Sequence, residues 1–161
     1  MSDILFKTDN YIFSYRVGGL LIHNGKVLMQ KAVDDDGYAF IGGHVAFGET
    51  TAETIVREFK EEIGADIVVG DLKWVAEVFF PWGDKPCHQI CLYYMVEITN
   101  PDIPMEGVFR GVEQMEGRKF ELEFHWVRVE EARHLELYPT NARELLQNLD
   151  TGVAHFVYQE A

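Results

Sequence analysis

The chain has 161 residues, which is enough for one domain with one sizeable core. Hydrophobic residues make up 47% and charged residues 25%, a balance that is typical of globular proteins and excludes a disordered chain. The formal net charge of −13 argues against sequence-independent binding to nucleic acid or to an anionic membrane surface, because both require clustered Lys and Arg.

Neither the N-terminus nor the cysteines predict export or a membrane anchor. No apolar run approaches the roughly 20 residues of a membrane-spanning helix. The opening MSDILFKTDN lacks the basic start and apolar core of a signal peptide, so we expect a cytoplasmic protein. Cys87 and Cys91 supply neither a disulfide framework nor a zinc set, and we expect two free thiols buried on one face of a strand.

The N-terminal part of the chain predicts a β-hairpin. The stretch FSYRVGGLLIHNGKVLMQKAV reads as two strands, and Asn24-Gly25 between them favours a tight turn that needs positive φ at both residues. The acidic run 34–37 predicts a solvated turn rather than a metal site. A short apolar stretch, YAFI, then leads into Gly42-Gly43.

The segment 51–63 predicts the clearest helix of the chain. Apolar residues recur on one stripe with helical spacing, at Ala52, Ile55, Val56, Phe59 and Ile63. A capping box at Thr50 and Glu53 marks the start, and Gly64 marks the end.

The rest of the chain predicts strands followed by two helices. Strands are expected over 66–80, 87–98 and 120–129, with a long loop over 99–119 and helices over 129–135 and 139–149. No repeat or linker suggests a boundary, so we expect one domain over residues 1–161. This mixture predicts helices packed on a mixed sheet.

Three glutamates of the predicted helix lie on one arc beside its apolar stripe: Glu58, Glu61 and Glu62. Like charges one turn apart destabilise a helix, more so when they are partly desolvated. Such a cluster indicates a hard cation such as Mg²⁺, Mn²⁺ or Ca²⁺, which oxygen ligands select. The alternative is a solvated acidic face with Arg57 and Lys60 as counter-charges. The glycine-rich loop before the helix favours the ligand site, because its backbone can approach a phosphate closely.

The segment 43–65 resembles the Nudix box, in which Gly, five residues, Glu, seven residues and Arg-Glu precede an apolar residue, any residue, Glu-Glu, any residue and Gly. The matching positions are Gly43, Glu49, Arg57, Glu58, Phe59, Glu61, Glu62 and Gly64. Two positions depart from the pattern. Ala65 closes the box where a larger aliphatic residue is usual, and Ile41 stands where many members have Pro.

The resemblance implies the Nudix fold, an α/β/α sandwich around a mixed β-sheet in the α/β (α+β) class. It implies hydrolysis of a nucleoside diphosphate linked to another moiety, with Mg²⁺ or Mn²⁺ as cofactor. Glu58 and Glu62 are then the main metal ligands, Glu61 is a further ligand or the base, and the carbonyl of Gly43 is an additional ligand. Arg57 cannot be the base because it stays protonated, and the resemblance pairs it with a box glutamate such as Glu49.

Outside the box the functional residues are less defined. The resemblance allows a base from the box or from a downstream glutamate. Four glutamates are plausible by position, with Glu121 preferred: Glu113, Glu116, Glu121 and Glu123. For each of the four, a solvated loop or strand carboxylate is the favoured alternative.

Substrate contacts are expected from the first long strand and the box loop. Arg16 and His44 could reach phosphate, and Phe40, Phe80 or Trp82 could stack on a base, although core packing is the alternative for Phe40. Pro81 resembles a marker of the ADP-ribose hydrolases within the family, and a turn explains it as well.

Two other functions remain as alternatives. One is a sensor that binds a nucleotide through the same fold without turnover, which the intact glutamates disfavour. The other is an isopentenyl diphosphate isomerase, whose active-site Cys precedes the box, whereas both cysteines here follow it. The expected partner is a small nucleotide rather than a nucleic acid or a membrane, and the resemblance is compatible with a homodimer. The sequence does not identify the leaving group.

Overall fold

The structure is a computed structural model, and it describes residues 2–100, 102–115 and 118–160. Its nine strands are β1 Leu5–Lys7, β2 Ile12–His23, β3 Lys26–Ala32, β4 Ala39–His44, β5 Asp66–Trp82, β6 Lys85–Asn100, β7 Val108–Met115, β8 Arg118–Arg128 and β9 Ala154–Gln159. Its helical segments are α1 Thr51–Ile63, α2 Ala142–Leu145 and the 3₁₀ helices Val129–His134 and Leu146–Asn148.

The strands form one mixed sheet in the order β7-β8-β3-β4-β2-β6-β5-β9, with β1 also paired to β2. The β2–β6 and β5–β9 pairs are parallel, and the other pairs are antiparallel. Strand β4 pairs first with β3 and then with β2, so that its glycine-containing end lies in the middle of the sheet. The mixed sheet with few helices confirms the predicted fold class.

The predicted hairpin and its turn are confirmed. Asn24 and Gly25 have φ values of 52° and 75°, which this two-residue connection requires at both positions. The turn fixes the register of β2 against β3, where Ile22 lies opposite Val27.

Local signals also define α1 correctly. The Thr50 hydroxyl accepts a hydrogen bond from the Glu53 backbone N–H, while the Glu53 carboxylate accepts one from the Thr50 N–H. Ile55 and Phe59 are fully buried against the sheet. Val56 is 42% exposed, so the prediction that it belongs to the buried stripe is wrong. The buried stripe by which α1 packs on the sheet is therefore narrower than the stripe of apolar residues in its sequence.

The sheet separates two hydrophobic clusters. Helix α1 packs on one face, over Val17, Leu21 and Ile41. The C-terminal helical segments pack on the opposite face, where Ala142 and Leu146 join a cluster that includes Leu20, Phe40 and Trp74. Because strand residues alternate between faces, each β2 or β4 side chain can be assigned to the α1 face or to the opposite face. The expected free buried thiols, Cys87 and Cys91, are both found.

Three predicted elements differ from the structure. Strand β7 lies within the predicted loop 99–119, and β9 was not predicted. The C-terminal helices occur where expected, but they are shorter and largely 3₁₀. Among the described helices, none is long and apolar enough to span a membrane.

Candidate active site

Arg57 organises the carboxylates of α1 and the preceding loop. Its Nε and Nη2 atoms donate to the two oxygens of Glu49, each at 2.9 Å. Thr54 donates a further hydrogen bond of 2.9 Å to the same carboxylate. These contacts, led by those of Arg57, lower the pKa of Glu49 to about 2 and raise that of Arg57. The pairing of Arg57 with Glu49 that the resemblance implied is therefore present, and it fastens the loop to the helix.

Glu58 lies against the backbone of Gly43. A Cβ built on Gly43 would meet the Glu58 carboxyl carbon at 2.3 Å and its oxygens at 2.4 and 2.7 Å, so only glycine leaves room for this carboxylate. Burial raises the pKa of Glu58 to about 7, against the opposing effect of Arg57, whose Nη1 donates to it at 3.0 Å. A cation at this position would favour the ionised form.

The other two box glutamates differ in exposure. The Glu61 side chain is 59% exposed and lies 3.3 Å from Arg57, whereas Glu62 is half-buried. In the part of the chain that the structure describes, no three His, Cys, Asp or Glu side chains converge closely enough to hold a metal ion as they stand. Two of the three carboxylates, Glu58 and Glu61, are turned toward Arg57. All the donors offered here are oxygen atoms, which suits a hard cation such as Mg²⁺.

Arg16 and His44 lie on the opposite face of the sheet from the glutamates. They are cross-strand neighbours on β2 and β4, one position beyond Gly43 and therefore on its other side. The positive charge of Arg16 still reaches Glu58, where it contributes to lowering the pKa. Burial, assisted by Arg16 and Lys7, lowers the pKa of His44 to about 4. His44 is thus neutral near pH 7 and does not add a charge for phosphate.

Two further polar residues on this face were missed by sequence reasoning, Ser14 and Gln89. His44 Nε2 lies 3.0 Å from the Ser14 hydroxyl, which donates to Gln89 Oε1 at 3.1 Å. Ser14 is fully buried and Gln89 is 9% exposed. The sequence signal that could have identified them is that each is a polar residue at a position of its strand predicted to face the core. Their contact, however, depends on the β2–β6 register.

A cavity of about 220 Å³ opens on this face. Arg16, Gln89 and Glu160 are among its charged and polar lining residues, and Phe40, Phe80 and Tyr138 are among its aromatic residues. The cavity joins β2, β5, β6 and the segment before α2 into one concave site.

Phe40 lies in this cavity chiefly as part of the core. It is 6% exposed, and its ring makes edge contacts with Trp74 and Tyr93 at centroid distances of 5.7 and 5.6 Å. The expectation that Phe40 stacks on a base is not supported, because two ring contacts and burial leave little of its face available. Phe80, half-buried at the rim, is better placed.

Trp82 and Pro81 lie at the end of β5, away from this cavity. Trp82 packs near His44 and Phe80, and Lys7 Nζ lies 5.0 Å from the Trp82 ring centroid. Pro81 is exposed within β5, opposite Pro86 of β6, a position that its place near the hairpin turn explains.

The structure does not bring Glu121 to the box glutamates. Leu122 and Phe124 belong to the cluster beneath α1, so the intervening positions of β8 point to the other face of the sheet. Glu121 is exposed there, and Glu123 is bound to His125 and Lys31. The geometry therefore gives Glu121 no support as the general base.

The two remaining base candidates cannot be placed. The side chain of Glu113 and the whole of Glu116 lie outside the described residues.

A larger cavity of about 740 Å³ lies at the end of the β5–β6 hairpin. Phe13, Phe79 and His88 line it, together with residues of the hairpin turn. None of its lining residues belongs to α1 or to the loop before it, so we do not assign it to the glutamate site.

Comparison with known proteins identifies the family. The NUDIX domain model matches residues 13–149. No curated protein sequence matches the chain.

Solved structures share the fold at low identity. A structure described as UDP-X diphosphatase is 17% identical with a TM-score of 0.57, covering 94% of this chain and 68% of the other. The ORF135 protein of E. coli is 25% identical with a TM-score of 0.51, over 84% and 86% of the two chains. An ADP-ribose pyrophosphatase from Streptococcus suis is 12% identical with a TM-score of 0.55, over 89% and 98%.

The family match spans most of the chain and includes the whole segment from Gly43 to Ala65, in which Arg57 joins the loop to the glutamate-bearing helix. The chain belongs to the NUDIX family and is a hydrolase of diphosphate bonds.

Proposed function

We propose that the protein is a metal-dependent pyrophosphohydrolase that cleaves a nucleoside diphosphate linked to another moiety. The observation that carries this proposal is the Glu58 carboxyl, buried against Gly43 with its pKa raised to about 7. A carboxyl that is costly to ionise and that sits beside two further glutamates is suited to a bound cation.

Glu58, Glu62 and the Gly43 carbonyl oxygen would hold Mg²⁺ or Mn²⁺, and Glu61 would lie beside the cation as the base. When bound, the cation polarises phosphoryl oxygens, stabilises the leaving phosphate and acidifies water. Binding would replace the contacts that Glu58 and Glu61 now make with Arg57.

Arg57 is a positioning residue in this proposal. Its two hydrogen bonds to Glu49 fix the loop relative to α1, so that Gly43 and Glu58 keep their contact. It stays protonated and so does not accept the proton of the attacking water.

Glu61 is the carboxylate we assign as general base. It is the most exposed of the three glutamates Glu58, Glu61 and Glu62, and its side chain can turn from Arg57 toward solvent. It would take the proton of the water that attacks phosphorus at one of its carboxylate oxygens.

The nucleoside half of the substrate is proposed to enter the 220 Å³ cavity. That volume is smaller than the roughly 300–1,000 Å³ of a site for a drug-sized ligand, so it suits a nucleobase rather than a whole nucleotide. Arg16 offers a positive charge at the side of the cavity, in a chain whose net charge would otherwise repel an anionic substrate.

A turnover panel tests the proposal. Nucleoside triphosphates, ADP-ribose, nucleotide sugars and dinucleoside polyphosphates are each incubated with Mg²⁺, with Mn²⁺ and with chelator. Glu62→Gln is the test variant, and Glu131→Gln, which alters an exposed glutamate of the 3₁₀ helix, is the matched control.

The proposal is supported if the protein releases a mononucleotide in a metal-dependent reaction that is lost in Glu62→Gln and retained in Glu131→Gln. The compound that is cleaved then identifies the substrate. Absence of turnover of every compound, together with tight nucleotide binding, would overturn the proposal in favour of a sensor.

A further inference from the structure

Three polar side chains form a directed chain across the centre of the sheet. His44 on β4, Ser14 on β2 and Gln89 on β6 are linked by contacts of 3.0 and 3.1 Å. Ser14 and Gln89 are direct cross-strand neighbours, so the β2–β6 register fixes their contact. Buried polar groups of this kind destabilise the fold unless they are hydrogen-bonded, and these two contacts pair His44 Nε2, the Ser14 hydroxyl and the Gln89 carbonyl oxygen.

The direction of the hydrogen bonds follows from proton counting. The Ser14 hydroxyl has one proton and donates it to Gln89 Oε1. His44 Nε2 must therefore be the donor toward Ser14, so the ring carries a proton on Nε2. The carbonyl oxygen of the Gln89 amide is thus held by Ser14, and the orientation of its NH₂ group is set.

The Gln89 NH₂ group is available to a ligand. Gln89 is nine-tenths buried and lines the 220 Å³ cavity, and within the described chain its amide nitrogen makes no hydrogen bond. Arg16 lines the same cavity, and no described residue forms a hydrogen bond or ion pair with its guanidinium. The side of the cavity that Arg16 and Gln89 form therefore presents two donors, while the Glu160 carboxylate, which accepts a hydrogen bond of 3.2 Å from the Tyr158 hydroxyl, also lines the cavity.

Aromatic side chains complete the cavity. Phe40, Phe80 and Tyr138 are among its lining residues, and aromatic faces suit a flat ring. A ring that enters with a carbonyl oxygen toward Gln89 and Arg16 satisfies both donors. A ring that enters with an exocyclic amino group in this place brings a second donor toward Gln89 and Arg16. Their N–H groups then have no acceptor and stay unsatisfied.

We propose that Gln89 and Arg16 select the nucleobase of the substrate, with the Gln89 amide oriented by Ser14 and His44. The selected base carries a carbonyl oxygen at position 4 of a pyrimidine or at position 6 of a purine. Uracil, thymine and guanine present that oxygen, whereas cytosine and adenine present an amino group. Gln89 is then a specificity-determining residue, and Ser14 and His44 are positioning residues. This inference rests on the proposed function, because it places the nucleobase in this cavity.

The first measurement keeps the leaving group constant and varies only the base. With the substrate class that the turnover panel selects, kcat/KM is determined for the uracil, cytosine, guanine and adenine forms. We expect each carbonyl base to exceed its amino counterpart by about 10- to 100-fold, chiefly through KM.

Binding is measured separately from turnover. The dissociation constants of UMP, CMP, GMP and AMP are determined by calorimetry in the presence of chelator. We expect UMP to bind more tightly than CMP, and GMP more tightly than AMP, by a similar factor.

Three variants test the role of the amide. Gln89→Glu replaces the two amide N–H donors by an acceptor. It is expected to reverse the ratio of kcat/KM between carbonyl and amino bases, so that cytosine and adenine are preferred. Gln89→Met removes the hydrogen bonds at similar size and is expected to bring the ratio near one. Ser14→Ala releases the amide carbonyl and is expected to narrow the ratio while kcat for the preferred base changes little. Gln159→Glu, which makes the same charge change on exposed β9, is the matched control.

The outcomes separate this inference from the proposed function. Turnover without base discrimination, or discrimination that Gln89→Glu and Gln89→Met leave unchanged, overturns the inference and leaves the hydrolase standing. Selective binding of UMP and GMP without turnover of any compound overturns the proposed function and retains the cavity assignment. Equal binding of all four monophosphates, or no binding of any, overturns the inference.

Discussion

Arg57 and Glu49 form a two-point ion pair, with Nε and Nη2 each 2.9 Å from one carboxylate oxygen. The pair joins the loop before α1 to the second turn of the helix, and both side chains are mostly buried. A planar guanidinium is needed for this geometry, because an ammonium group cannot donate two parallel hydrogen bonds.

Arg57→Lys is therefore expected to reduce the free energy of unfolding by about 1–2 kcal/mol, although the charge is kept. Urea denaturation at pH 7 measures the change. Arg128→Lys, at an exposed contact of 3.9 Å with Glu130, is the control and should change stability by less than about 0.5 kcal/mol. Equal effects of the two substitutions would show that the two-point geometry contributes nothing.

The same pair predicts a pH dependence of stability. The folded-state pKa of Glu49 is lowered to about 2 from an ordinary value of 4.5, so the unfolded chain binds the proton more readily. Its contribution is fully present above pH 4.5 and is lost as the pH falls toward 2. Wild type should thus exceed Glu49→Gln in stability at pH 7, and the difference should shrink between pH 4.5 and 2. A difference that is constant over this range would contradict the assignment.

Helix α1 and the first hairpin could be predicted because their signals are local. The capping box at Thr50 and Glu53 and the Asn24-Gly25 turn each depend on residues within one turn of chain. Strand β9 could not be predicted in this way. It is stabilised by parallel pairing with β5, in which Trp74 lies opposite Ala154, and no turn signal connects such distant segments.

The candidate site shows the same division. The box glutamates, Arg57 and Gly43 are specified by spacing within one segment. The position of Glu121 could have been predicted, since its neighbours Leu122 and Phe124 alternate with it and must face the core. The contact of Ser14 with Gln89 spans 75 positions and depends on the sheet register, so the sequence alone does not reveal it.

Gly43→Ala tests the contact between Gly43 and Glu58. The added Cβ would lie 2.3 Å from the Glu58 carboxyl carbon, so the carboxylate must move. We expect kcat/KM to fall by about 100-fold or more, because a small displacement of a cation ligand disturbs the positioning on which catalysis depends. Steady-state kinetics and circular dichroism measure activity and folding together.

Gly152→Ala is the control for that substitution, since nothing lies within 4 Å of its added Cβ. It should leave kcat/KM unchanged. Wild-type activity in Gly43→Ala would show that the Glu58 carboxylate need not rest on Gly43.

Two glutamate substitutions distinguish the candidates for the general base. Glu61→Gln removes the exposed box carboxylate and is expected to lower kcat by about 10²- to 10⁴-fold. Glu121→Gln alters a carboxylate on the far face of β8 and should change kcat by less than about threefold. Full activity in Glu61→Gln, with loss in Glu121→Gln, would exclude our assignment and restore the original prediction.

Phe40→Ala tests whether Phe40 serves the core or the substrate. Its ring is 6% exposed and contacts Trp74 and Tyr93, so truncation should leave a cavity and lower the free energy of unfolding by about 3–5 kcal/mol. Phe47→Ala is the matched control, because that side chain is 81% exposed and its loss should alter stability by less than about 0.5 kcal/mol. Urea denaturation and KM are measured for both variants. If Phe40→Ala raised KM strongly while stability stayed at the wild-type value, Phe40 would be a substrate-stacking residue after all. Since two aromatic neighbours already occupy its ring contacts, we expect the loss of stability to dominate.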